Sequence, residues 1–116
     1  MSIRMEIQLQ APIDDIYDFA FKVLDGIKKK KSEIISERTE PCLIQAITQI
    51  GLFTSYMLVV INRNGASACS ISVACSQSLG SSPVDEIRLE HLRSFLSGLK
   101  LLLSEKGYPP LTAKFI

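Results

Sequence analysis

The chain reads as an α+β domain: a five-stranded antiparallel sheet in the order β-α-β-β-β-β-α, with a long C-terminal helix packed on one sheet face. Three observations predict it. Ile3, Met5, Ile7 and Leu9 alternate with polar residues at a period of two, the mark of a strand with one buried face. Ile13, Ile16, Tyr17, Ala20, Val23, Leu24 and Ile27 then recur at helical spacing. Finally, several strand-like runs separated by turn residues lead into a leucine-rich helical stripe.

The first strand ends at Ala11-Pro12, and a helix follows from about Pro12 to Lys29. Asp14, Asp15 and Asp18 stand near its start and Lys28 to Lys31 at its far end, so both sets of charges complement the helix dipole. Ser32 to Thr39 is a polar strand whose central apolar content is Ile34 and Ile35, a composition suited to a sheet edge. Glu40-Pro41 turns the chain. Cys42 to Ile50 makes the third strand, Phe53 to Arg63 the fourth and Ala66 to Ser76 the fifth.

Asn64-Gly65 is a dipeptide that favours a type I′ hairpin turn. A turn there sets Arg63 opposite Ala66 and pairs Tyr56 with Val73, Leu58 with Ile71, Val60 with Cys69 and Thr54 with Cys75. The opposite face then carries Met57, Val59 and Ile61 beside Ser72, Ser70 and Ala68. Both faces of the fourth strand are apolar, so something is expected to cover both sides of the sheet. In this register Val59→Asp is tolerated by the fold, whereas Leu58→Asp unfolds it.

The last helix has the sharpest boundaries. Ser82 caps it, Pro83 suits its first position, Asp85 completes a capping box, and Gly107 with Pro109-Pro110 stops it. Leu89, Leu92, Phe95, Leu96, Leu99, Leu102 and Leu103 form its apolar stripe. Gly98 lies inside that helix, where glycine costs ~1 kcal/mol relative to alanine, and a close approach of another element would account for it. Residues 1–107 read as a single domain and 108–116 as a C-terminal tail that ends apolar.

With 116 residues, 13 Lys plus Arg against 12 Asp plus Glu, and a formal charge of +1, the chain has no basic surplus with which to neutralise phosphates. Nucleic acid is therefore not an expected partner. No stretch approaches the ~20 apolar residues of a membrane span, and the N-terminus lacks the apolar run of a signal peptide, which predicts a cytoplasmic protein. Cys42, Cys69 and Cys75 are odd in number and without C-x-x-C spacing, so they read as small buried hydrophobes. No phosphate loop, metal cluster, nucleophile elbow or carboxylate pair is present, and neither a catalytic residue nor a cofactor is expected.

The segment Met5-Glu6-Ile7-Gln8-Leu9-Gln10-Ala11-Pro12-Ile13-Asp14-Asp15-Ile16-Tyr17-Asp18-Phe19 resembles the opening of START-like, pollen-allergen-like helix-grip domains. The long final helix is similar to theirs too. The resemblance covers roughly residues 3 to 107 in the order of elements and implies an apolar cavity between sheet and helix for a lipid or other small hydrophobic molecule. The chain lacks the two extra strands and second short helix that widen that cavity. Its strand count is similar instead to compact relatives of one half of the TATA-binding-protein fold.

Two readings follow. The first is a non-enzymatic binding protein of compact helix-grip type. Tyr56, Leu58, Val60, Ile71 and Val73 from the sheet and Phe95, Leu99 and Leu102 from the helix would line any cavity, with Arg88 and His91 at its polar margin. Arg88 shares a side of the helix with Asp85 and Leu92, where a guanidinium could take a ligand carboxylate or simply pair with Asp85 in solvent. His91 is the only histidine, and a catalytic role would need an orienting partner and a nucleophile or metal that the sequence alone does not identify. Leucines as dense as those of the last helix fill space, which predicts weak binding of small apolar ligands or none. The second reading is an assembly module acting through the outer sheet face and the tail. It predicts a homo-oligomer with Ile47, Met57, Val59 and Ile61 at the interface.

Overall fold

A computed structural model describes residues 3–27, 32–50, 53–77 and 85–115. The elements are β1 (Ile3–Leu9), α1 (Ile13–Ile27), β2 (Ser32–Glu37), β3 (Cys42–Ile50), β4 (Phe53–Gly65), β5 (Ala68–Gln77), α2 (Asp85–Glu105) and β6 (Thr112–Phe115). They build one six-stranded sheet in the order β2-β3-β4-β5-β1-β6, and every neighbouring pair is antiparallel. The Lys28 to Lys31 run and the Ser82-Pro83 cap lie outside the described residues.

The sheet has six strands, not five. Gly107 adopts a positive φ of 77°, and the Tyr108 amide donates to the Leu103 carbonyl at 2.9 Å while the Gly107 amide donates to Ser104 at 3.1 Å. This Schellman-type cap reverses the chain. Leu111 is then buried and Thr112 to Phe115 pair with β1 from Met5 to Gln8. Tyr108 secures the turn from the other side: its hydroxyl donates to Asp15 and its ring lies 6.3 Å from that of Phe19. That bond raises the tyrosine pKa. Its contribution is fully present below the ordinary tyrosine pKa of about 10 and is lost as pH rises through the higher folded value. Tyr108→Phe is expected to melt earlier than the wild type at neutral pH and to lose that deficit in strong base, as thermal scans across pH will read.

The hairpin differs from expectation in a way that matters for function. The turn is at Ala66-Ser67, and a bulge between Arg63 and Gly65 lets the strands pair Val59 with Val73 and Ile61 with Ile71. Relative to the expected pairs, the partner of each β5 residue moves three positions along β4. Three is odd, so the faces of β4 exchange. Met57, Val59 and Ile61 point to the core at 5%, 0% and 0% exposure, and Tyr56, Leu58 and Val60 point to the other side. The expected interface set of Met57, Val59 and Ile61 is therefore core. Of the four residues expected there, only Ile47 remains on the outer face, where it pairs with Tyr56.

Both helices cover the inner face. Ile16, Ala20 and Leu24 from α1 and Leu92, Phe95, Leu99 and Leu103 from α2 are buried with Ile7, Ile44, Val59, Ile61, Ile71 and Val73 of the sheet. The helices approach each other closely at Gly98, where a Cβ would stand 2.7 Å from Val23 Cγ1. The glycine inside the helix thus has its reason in packing.

Candidate functional site: the outer sheet face

The site is built by the strands themselves. Cross-strand partners share a face, so the pairings define lateral rows across the side of the sheet opposite the two helices. One row runs Ile35, Gln45, Leu58, Ala74, Arg4. The next runs Glu37, Leu43, Val60, Ser72, Glu6, Lys114. The face is divided by size. Ile35, Leu43, Ile47, Tyr56, Leu58 and Val60 give the β2-β3-β4 half a contiguous apolar surface, with Ile35 52% and Leu58 38% exposed. The β5-β1-β6 half carries small or polar residues.

That size step makes a groove. Leu58 and Val60 form one wall and Ser72 and Ala74 much of the floor of a hollow of about 240 Å³, with Arg4 at its far side. A second hollow of about 130 Å³ lies across Leu58, bounded by Ile35, Glu37, Leu43 and Gln45. Leu58 is the ridge between them. Its row neighbours are a glutamine on one side and an alanine on the other, and it stands 38% exposed.

Charge is distributed along the same axis. Glu33 and Glu37 are exposed on β2, whereas Arg4 and Lys114 are exposed at the β1-β6 end, where Glu6 stands half-buried beside Lys114. Elsewhere the exposed ion pairs serve the loops. Arg63 donates from Nε and Nη2 to Glu40 Oε1 at 3.0 and 2.5 Å, which holds the Glu40 carboxyl below its ordinary range. Arg38 reaches Asp18 at 3.0 Å and stacks 4.6 Å from the Tyr17 ring centre, fixing β2's exit to α1.

The residues expected to line a ligand cavity are not brought together. Ile71, Val73, Phe95 and Leu99 are on the inner side at 0–1% exposure, and Leu102 is half-buried beside them. Tyr56, Leu58 and Val60 are on the opposite side of the sheet. His91 sits half-buried on α2, and the side chain of Arg88 lies outside what the structure describes. The odd register shift is the reason for the separation.

The cysteines occupy the core side. Cys42, Cys69 and Cys75 are buried, and burial pushes the Cys69 thiol up to about 11. A buried, protonated thiol is a poor nucleophile. All three are expected to resist alkylation in the native protein at neutral pH and to react at once in denaturant, as mass spectrometry of the labelled protein will count. Among the described residues, no group of three or more His, Cys, Asp or Glu could hold a metal ion, and no helix is long and apolar enough to cross a membrane.

No family model matches the chain. The curated proteins likewise contain no match. Solved structures do. A conserved protein from Geobacillus kaustophilus superposes with a TM-score of 0.59 at 7% identity, covering 94% of this chain and 98% of its own. A protein from Nitrosospira multiformis is similar with a TM-score of 0.50 at 10% identity, over 85% of this chain and 93% of its own. Norcoclaurine synthase from Thalictrum flavum aligns at 13% identity over 90% and 87%, but its TM-score of 0.46 is too low to carry an argument. At these identities the likeness is one of fold. The class is an α+β domain with an open six-stranded antiparallel sheet and two helices.

Proposed function

We propose that this protein is a non-enzymatic interaction module that docks a protein partner on its outer sheet face. The observation that carries this reading is the exposed apolar surface of β2, β3 and β4, with Leu58 standing 38% exposed between two hollows. Contiguous apolar surface of this kind is uncommon on a soluble protein unless something covers it. A small-molecule carrier of helix-grip type would instead need room between sheet and helix, where Phe95 and Leu99 are fully buried against Ile7 and Ile71.

Carbene footprinting tests the reading. In cell extract, residues 56–60 and 72–74 are expected to be labelled less than in the dilute purified protein, and Leu58→Asp is expected to abolish that protection while leaving the melting temperature nearly unchanged. Labelling of these residues no lower in the wild type than in Leu58→Asp, both in extract and in concentrated purified protein, would remove the proposal.

A further inference from the structure

Resting on that reading, we infer that the occupant of the outer face is a second copy of this chain, packed about a two-fold axis that runs parallel to the strands between β4 and β5. Two independent features of the face select this partner and this axis.

The first is shape. Rotation about such an axis lays β4 of one copy over β5 of the other and keeps each lateral row in register with itself. Leu58 of one copy then meets Ala74 of the other, and Val60 meets Ser72. The ridge of each copy enters the groove of about 240 Å³ that the size step leaves open beside it. Large side chains over small ones allow two sheets to pack at their usual spacing of about 10 Å.

The second is charge. The same rotation lays β2 over β6, so Glu37 of one copy faces Lys114 of the other, because both belong to the row that passes through Val60 and Ser72; Glu6 of that row, which already neighbours Lys114 in its own chain, comes over Leu43. In the next row Gln45 is brought to Arg4, a hydrogen-bond donor for its amide oxygen. The alternative two-fold, perpendicular to the strands, fails on both counts. It sets β2 upon β2, gathering Glu33 and Glu37 of both copies, and it stacks Leu58 and Val60 on their own kind while the grooves stay empty. Like charges so placed oppose association. The face is therefore self-complementary in one orientation, as an isologous interface must be.

The test uses the purified full chain. Light scattering at high micromolar concentration should give twice the 12.9 kDa of one chain. Glu37→Lys and Lys114→Glu should each weaken the dimer roughly tenfold, because each converts two symmetry-related attractions into repulsions. An equimolar mixture of the two variants should restore affinity and appear in native mass spectrometry as the heterodimer, since every facing pair is again of opposite sign. Tightening of the dimer by Glu37→Lys would overturn the proposal in favour of the perpendicular axis. A dimer indifferent to both reversals and to Leu58→Asp would overturn it by placing the contact elsewhere. A monomeric protein whose outer face is nonetheless protected in cell extract would overturn the second-copy assignment and leave the docking surface standing.

Discussion

Val59→Asp is expected to prevent folding, while Leu58→Asp, one residue away, leaves the monomer folded. Val59 is at 0% exposure, paired with Val73 and Ile44, in the middle of the inner sheet face. A carboxylate there loses its hydration among buried hydrophobic side chains, a situation that costs several kcal/mol on top of the lost valine packing. A domain of this size has only about 5–15 kcal/mol of stability to lose. Leu58 starts from 38% exposure and an aspartate in its place stays hydrated, so the cost should fall within about 1 kcal/mol. Chemical denaturation of both variants measures the difference directly. Equal destabilisation, or the reverse order, would show that the bulge at Arg63 and Gly65 is misplaced and that β4 presents its other face to the core.

That pair of substitutions also marks where the sequence is legible. β5 alternates Cys69, Ile71, Val73 and Cys75 with Ser70, Ser72 and Ala74, so its inner face can be read directly, and β1 alternates as clearly. β4 is apolar on both faces. Its orientation therefore depends on the hairpin alone, and there Asn64-Gly65 points to a turn that the chain does not use. Gly65 keeps an ordinary φ, the turn falls on Ala66-Ser67, and the extra residue is absorbed by a bulge with Asn64 hydrogen-bonded to Gln8 at 3.2 Å. A bulge leaves no periodic signal, yet one residue of slip moves a whole strand face from solvent to core.

The two apolar faces of β4 make an apolar outer surface legible in the sequence but leave its members open. An apolar outer face was expected because both sides of β4 are hydrophobic, and such a face exists. Its members, however, are Tyr56, Leu58 and Val60, which a type I′ register turns to the interior, together with Ile47, which lies on the outer face opposite Tyr56. β6 escaped for a different reason. Thr112 to Phe115 is four residues long, exposed along its length, and preceded by two prolines, so it has no alternation to display; only the Gly107 cap, which aims the chain back at β1, places it. Local signals with a stereochemical cause, such as that cap and the stripe of α2, survive the transition from sequence to structure. Long-range registration does not.

The contact between the helices gives the other large effect. Gly98→Leu is expected to destabilise the protein by about 3 kcal/mol, although leucine is the better helix former by nearly 1 kcal/mol. A Cβ at position 98 would lie 2.7 and 2.9 Å from the two γ-carbons of Val23, closer than real carbon contacts permit, so α1 and α2 must separate even before the rest of the side chain is placed. Separation is costly because both helices are anchored on the same sheet face, α1 through Ile16, Ala20 and Leu24 and α2 through Phe95, Leu99 and Leu103. Movement of either opens voids under it. Trimming the opposing residue should relieve the clash: Val23→Ala alone is expected to cost about 1–2 kcal/mol as a cavity, yet the double variant should be more stable than Gly98→Leu by itself. A denaturation cycle over the four proteins reads the coupling between the two positions. Strict additivity would mean that the helices do not meet at Gly98, and that the glycine inside α2 has some cause other than the crossing with α1.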